Sequence, residues 1–217
     1  MRIALFTDLH YRQELPSEAI DPDDSLAAGL AHAVKHGNPD HIVFCGDVTH
    51  VGDERSYLQL KERLATLATP YTLLIGNHDR REVFQKFFPD TARDNNGFVQ
   101  SVMDVEGHRL IFLDTLNAPP YDYPRYHMGH LCEARLNWLS DQLAGAGDRA
   151  CIIFMHHPPH DTGIVAMDAL KLTNGEQFYE RILPYNNVKH IICGHVHRTI
   201  SGSYKGIPFS TFKSMGT

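Results

Sequence analysis

The chain has 217 residues, 42% hydrophobic and 21% charged, with a formal net charge of −6. That length suits one domain with a core large enough to hold a rigid site without disulfides, and the acidic balance gives no footprint for nonspecific nucleic-acid binding, which needs clustered Lys and Arg. No stretch approaches the ~18 apolar residues of a membrane span, and MRIALFTDLH is too short for a signal peptide, so the cytoplasm is the expected compartment.

In chain order, Arg2–Thr7 reads as a buried strand. Ser25–Lys35 carries Leu26, Leu30 and Val34 at helical spacing, with Gly37 suited to a stop. Ile42–Cys45 is a strand, Glu54–Leu67 a helix with Leu60, Leu64 and Leu67 on one stripe, and Pro70–Ile75 a strand. Arg80–Phe88 is a short helix ended by Pro89. Phe98–Val105 and Arg109–Asp114 form a hairpin across Glu106–Gly107–His108. Leu131–Leu143 is an amphipathic helix carrying the only Trp, Trp138. Cys151–Met155 is a strand and Gly175–Leu183 a helix; Val188–Cys193, Thr199–Tyr204 and Pro208–Thr211 are strands. An early βαβαβ rhythm followed by a hairpin predicts α/β architecture with helices covering a mixed sheet or two sheets. Cys45, Cys132, Cys151 and Cys193 show no CxxC spacing, and buried free thiols are expected.

Five polar clusters each follow an apolar strand: Asp8-Leu9-His10, Gly46-Asp47, Gly76-Asn77-His78-Asp79, His156-His157-Pro158-Pro159 and Gly194-His195-Val196-His197. In open α/β sheets the ligand crevice lies beyond the carboxyl ends of strands, so clusters at that position converge. Alone, each Asp or His there is an ordinary cap or turn residue; together they share one explanation, a metal centre. Asp, Asn and His donors suit Mn, Fe, Co or Zn rather than thiolate-loving metals. Asp47, alone in its cluster, is the best bridging carboxylate. Glycines before Asp47, Asn77 and His195 permit tight turns.

The ordered set D-x-H, G-D, G-N-H-D, H-H-P-P and G-H-x-H, running from Asp8 to His197, resembles the calcineurin-like metallophosphoesterase superfamily. Within it the chain most resembles the bacterial cyclic-nucleotide and glycerophosphodiester phosphodiesterases, through Ile153–Pro159 and the Gly129–Leu143 segment. The resemblance implies a four-layer αββα sandwich of two mixed β-sheets flanked by helices. It implies one metal on Asp8, His10 and His197, another on Asn77, His156 and His195, and Asp47 between them. It also implies two divalent or mixed-valence ions, a metal-bridging hydroxide as nucleophile, a small phosphodiester as substrate and a possible homo-oligomer. By the same resemblance His78 donates a hydrogen bond or proton near the leaving oxygen, and Asp79 is expected to orient the His78 ring. His157 is left out of the ligand set as facing away. Arg12, His50 and Arg80 stand near enough to touch phosphate oxygens, and the aromatic loop from Ala118 to His127 is placed over the site or at a subunit contact. His32, His36, His41, His108 and His190 are read as solvated or structural. The diesterases it resembles continue past the position of Thr217, so residues 1–217 are expected to be a single domain, either a shorter form or one lacking a C-terminal extension. A phosphomonoesterase or nucleotide-pyrophosphate hydrolase is the alternative within the same chemistry. A non-catalytic scaffold is the alternative outside it, and the intact ligand positions weigh against that reading.

Overall fold

The computed structural model describes all residues except 13, 16–19 and 217, so Thr217 lies outside the described residues. Strands β1 (Ile3–Phe6), β2 (His41–Cys45) and β3 (Tyr71–Leu74) pair in parallel as one three-stranded sheet. A second, six-stranded sheet has the order β4 (Ser101–Val105), β5 (His108–Leu113), β6 (Ala150–Met155), β7 (Val188–Cys193), β9 (Ile207–Thr211), β8 (Ile200–Tyr204). It is the mixed one: β5, β6, β7 and β9 run parallel, while β4 and β8 pair antiparallel at its edges. The β4–β5 hairpin turns on Glu106 and Gly107, both with positive φ, the combination a tight right-twisted hairpin requires.

Strand residues alternate between two apolar environments, and that alternation builds the layers. On β2, Val43 meets Leu74, Leu110, Phe112 and Phe154 between the sheets. Its neighbours Ile42 and Phe44 face the other way, with Leu26 and Leu30 of α1 (Pro22–His32), Tyr57, Leu60 and Leu64 of α2 (Glu54–Leu64) and Phe84 of α3 (Arg81–Phe87). On β6, Phe154 lies between the sheets, whereas Ile153 and Met155 pack outward on Leu136, Leu139 and Leu143 of α4 (Glu133–Ala144) and on Phe178 and Ile182 of α6 (Gly175–Ile182). The result is helices, sheet, sheet, helices, the αββα order.

Local differences from the sequence reading have local causes. Helix α1 begins at Pro22 because the Asp21 carboxylate caps Asp23 N–H. It runs into a π-turn over Ala33–Gly37 that ends at left-handed Asn38 rather than at Gly37. A helical turn, α5 (Val165–Asp168), lies where no helix is predicted. Among the described residues no helix is long and apolar enough to cross a membrane.

Candidate metal centre

The five loops leave β1, β2, β3, β6 and β7 at one rim of the sandwich. Five predicted donors, Asp8, His10, Asp47, His195 and His197, sit at φ between 49° and 70°. L-residues adopt this left-handed region uncommonly, and such conformations persist where surroundings impose them. Here the loops stitch one another: Asp8 N–H donates to Gly46 O (3.1 Å), His10 N–H to Asp47 O (3.0 Å) and Gly194 N–H to His156 O (3.1 Å). The C-terminal turn adds a clamp, with Gly216 N–H (3.0 Å) and Ser214 Oγ (2.9 Å) both donating to the Asp8 carbonyl. The donors themselves therefore make the tight turns, with help from Gly46 at φ 87°. Gly76 and Gly194 serve close approach instead: a Cβ on Gly76 would lie 2.2 Å from Asp47 Oδ1, and one on Gly194 2.2 Å from Thr7 Oγ1.

These loops bring all seven predicted donors together. Ligand atoms of Asp8, His10, Asp47 and His197 lie within 4.8 Å of one another, as do those of His156, His157 and His195. His10 Nε2 and His197 Nε2 are 3.1 Å apart, and His197 Nε2 is 3.2 Å from Asp8 Oδ1. Asp47 Oδ2 stands between the groups, 3.9 Å from His10 Nε2 and 3.2 Å from His156 Nε2. His156 Nδ1–H donates to Cys45 O at 2.9 Å, which leaves Nε2 facing the Asp47 carboxylate at the centre. Asn77 Nδ2 donates to His127 Nδ1 at 3.1 Å, which leaves Asn77 Oδ1 buried as the free end of the amide.

Burial makes this arrangement costly without a cation. Asp8, Asp47, Asn77, His10, His156 and His195 are all at most 3% exposed. Asn77 Oδ1 and His195 Nε2 are buried without a hydrogen-bond partner, a state native proteins avoid, and His156 Nε2 has the Asp47 carboxylate 3.2 Å away. Burial pushes the Asp47 carboxyl up, yet His156 and His78 hold it well below the usual carboxylate range. Burial pulls His10 down to about 4 and His195 to about 3, so both rings are neutral and offer lone pairs. For His156 burial also acts downward, but Asp47 and Asp8 lift it to about 9. Two buried carboxylates demand positive charge beside them, and the inward lone pairs and orphaned atoms fit metal ions as its source.

The neighbours correct several expectations. His78 Nδ1–H donates to the His50 backbone carbonyl at 2.7 Å, so a carbonyl, not Asp79, orients that ring. The Asp79 carboxylate is taken up by Val48 N, Thr49 N and Oγ1, Gly76 N and the Tyr57 hydroxyl, and it locks the Asp47 and Asn77 loops together. His157 does not face away: its ring lies 4.7 Å from that of His195, with Nδ1 2.7 Å from Thr115 Oγ1. Arg80 packs over Tyr121 at 4.0 Å and donates to Asp79 O, an anchoring role for the aromatic loop. His41 is buried, with Nε2 2.9 Å from Thr72 Oγ1. Next to the donors opens a cavity of about 560 Å³ whose outer wall includes Tyr123, Ile164, Met167 and Leu170. Among the described residues Asp47 is the only carboxylate lining it, and Arg198 lines it too. The wall supplied by α5 and the His127 contact were missed in the sequence.

Known proteins resemble this chain in sequence and in fold. The calcineurin-like phosphoesterase family model matches residues 1–199. A probable cyclic nucleotide phosphodiesterase of Rhodopseudomonas palustris is 40% identical over 213 residues, 96% of this chain and 76% of the relative. A glycerophosphodiester phosphodiesterase of Enterobacter lignolyticus is 28% identical over 220 residues, 97% of this chain and 76% of the relative. In fold, a dimetal phosphatase from Danio rerio superposes with a TM-score of 0.80 at 15% identity, covering 99% of this chain and 87% of that one. With its strand-end donor loops on an αββα sandwich and a family match over residues 1–199, the chain belongs to the calcineurin-like phosphoesterase family of phosphoester hydrolases.

Proposed function

We propose that the chain hydrolyses small phosphodiesters at a dinuclear metal centre. Asp8, His10 and His197 would hold one ion and Asn77, His156 and His195 the other, with Asp47 standing between the two sets. The observation that carries this reading is the pair of buried, partnerless donor atoms on Asn77 and His195, with His156 Nε2 against Asp47, beside the buried Asp8–Asp47 pair. When bound, Mn, Fe, Co or Zn ions supply Lewis acidity, an activated water and a clamp on the phosphoryl oxygens. The chain's own residues do the rest. His78 lines the cavity with its Nδ1 proton committed to the His50 carbonyl. From that position His78 serves the leaving oxygen through Nε2, the ring nitrogen left free of the His50 carbonyl. The wall of Tyr123, Met167 and Leu170 offers methyl, thioether and ring surface. That apolar surface suits a flat, apolar substituent such as a nucleobase. The four cysteines are free, as a reducing cytoplasm keeps them, and the cytoplasm is the compartment that goes with this reading.

The test is hydrolysis of a chromogenic diester and its matching monoester after chelation and re-addition of each metal, followed by kcat/KM for a cyclic nucleotide and a glycerophosphodiester. Metal-restored activity that favours the diester, and the cyclic nucleotide over the glycerol compound, is expected. Preference for the monoester would move the chain to the phosphomonoesterase alternative. Replacing His78 with Ala is expected to lower kcat by about 10²–10⁴-fold, the usual contribution of a positioned proton donor, with metal content unchanged. Loss of metal in that variant would make His78 a ligand instead.

A further inference from the structure

One imidazole outside the seven donors touches the centre from two directions. His50 follows the Asp47 loop, and its backbone is fixed on both sides: His50 N–H donates to Tyr11 O at 2.8 Å, and Thr49 is tied to Asp79 through its amide and hydroxyl. Its ring Nδ1 lies 3.3 Å from His10 Nδ1. Its carbonyl accepts from His78 Nδ1 at 2.7 Å, and the His50 and His78 rings stack with centroids 5.2 Å apart. His10 needs this neighbour. Its Nε2 faces His197 and Asp47, so to present a lone pair there it must carry its proton on Nδ1, which then needs an acceptor. His156 solves the same problem with a backbone carbonyl, Cys45 O. For His10 the acceptor at that place is a side chain, so mutation can remove it.

We propose that His50 is a positioning residue of the metal centre: its Nδ1 accepts the His10 Nδ1–H and keeps the His10 Nε2 lone pair on the ion shared with Asp8 and His197, while its carbonyl sets the tautomer of His78. One residue thus holds both a ligand and the group assigned to the leaving oxygen. The inference rests on the dinuclear reading above. It predicts an asymmetry, because the His50 side chain serves only the ion on His10 and the other ion does not depend on it.

The experiment loads the full chain with Co(II), dialyses it against a graded chelator series, counts cobalt per chain and follows the visible Co(II) spectrum. Three variants are compared. His50→Ala and His50→Leu lack an acceptor, and Leu keeps bulk where Ala leaves a gap. His50→Asn places Oδ1 the same number of bonds from the backbone as His Nδ1 and so restores the acceptor. Wild type is expected to hold two cobalt ions. Ala and Leu are expected to release one of them at about 10–100-fold lower chelator concentration, the usual effect of removing a ligand's hydrogen-bond partner, and to keep the other at the wild-type midpoint. Asn is expected to return the first midpoint toward wild type. Leu retaining both ions like wild type, or Asn releasing cobalt as readily as Leu, would overturn the proposal. So would a third cobalt that only wild type holds, which would make His50, with His10 and His78 nearby, a ligand in its own right. Fewer than two cobalt ions in wild type before any chelator would instead bring down the dinuclear reading itself.

Discussion

Asp47→Asn is expected to leave the fold intact and abolish most of the activity. Asn keeps the shape of Asp and can still accept the His78 backbone N–H, which reaches Asp47 Oδ1 at 2.9 Å. It removes the one carboxylate that stands within 3.9 Å of His10 Nε2 on one side and 3.2 Å of His156 Nε2 on the other. A neutral amide cannot offset two cations, so metal content is expected to fall below two per chain. A metal pair contributes several kcal/mol to phosphoryl transfer. Losing about 4 kcal/mol lowers kcat/KM about 10³-fold, since each 1.36 kcal/mol is a factor of ten. The stabilisation that added metal gives to thermal unfolding should shrink in parallel, because a ligand stabilises only in proportion to its affinity for the folded chain. Two ions per chain with unchanged turnover in Asp47→Asn would remove Asp47 from the centre.

The parts of this molecule that were legible in the sequence are those governed by short-range rules. Apolar runs such as Ile42–Cys45 and Cys151–Met155 mark strands because strands buried on both faces carry few polar residues. The donor types at strand ends mark a metal site because the chemistry needs them there. What could not be read is which atom faces which. Asp79 stands next to His78 in the chain, yet its carboxylate turns toward Val48, Thr49 and Tyr57, partners that belong to another loop and another helix. His127 lies 50 residues from Asn77, and only the folded aromatic loop brings them within 3.1 Å. The α5 turn is too short for periodicity to reveal. Its anchor is Asp168, whose carboxylate accepts from Thr162 N and Oγ1 and from Gly163 N. A Thr-Gly pair a few residues before an Asp is a local signal that could have placed it. The glycines show the same limit: Gly-Asp, Gly-Asn and Gly-His look alike on paper, but only Gly46 uses positive φ, while Gly76 and Gly194 leave room for atoms from elsewhere.

The largest stability effect is expected away from the metal, at Asp114→Ala. Asp114 is fully buried at the end of β5 and receives Arg81 Nε (2.8 Å) and Nη2 (2.9 Å), Val99 N (3.0 Å) and Leu116 N (3.0 Å), with Arg135 Nη1 3.6 Å away. Phe98 lies against both guanidiniums, 5.3 Å from Arg81 Cζ and 4.5 Å from Arg135 Cζ. The carboxylate thus ties the start of α3, directly after the Asn77–Arg80 loop, to β5 and α4. Removing it leaves two largely buried cations unpaired, their side chains 11% and 5% exposed, a change that typically costs about 3–5 kcal/mol. For a chain of this size the melting temperature is expected to fall by about 10 °C. The sign with pH follows from the charge. Burial alone would raise the Asp114 carboxyl, but Arg81 and Arg135 hold it below its ordinary value. The pair therefore stabilises the fold fully above the unfolded carboxylate value of about 3.9, and that contribution is lost as pH falls through the lower folded value. Thermal melts of both proteins from pH 7 down to pH 3 should show a constant gap above about pH 5 that narrows below about pH 4, as wild type loses the charge that the variant already lacks. A gap of the same size throughout that range would assign the loss to the cavity left by the side chain, and the ion pair would then not be what braces the loop beneath Asn77.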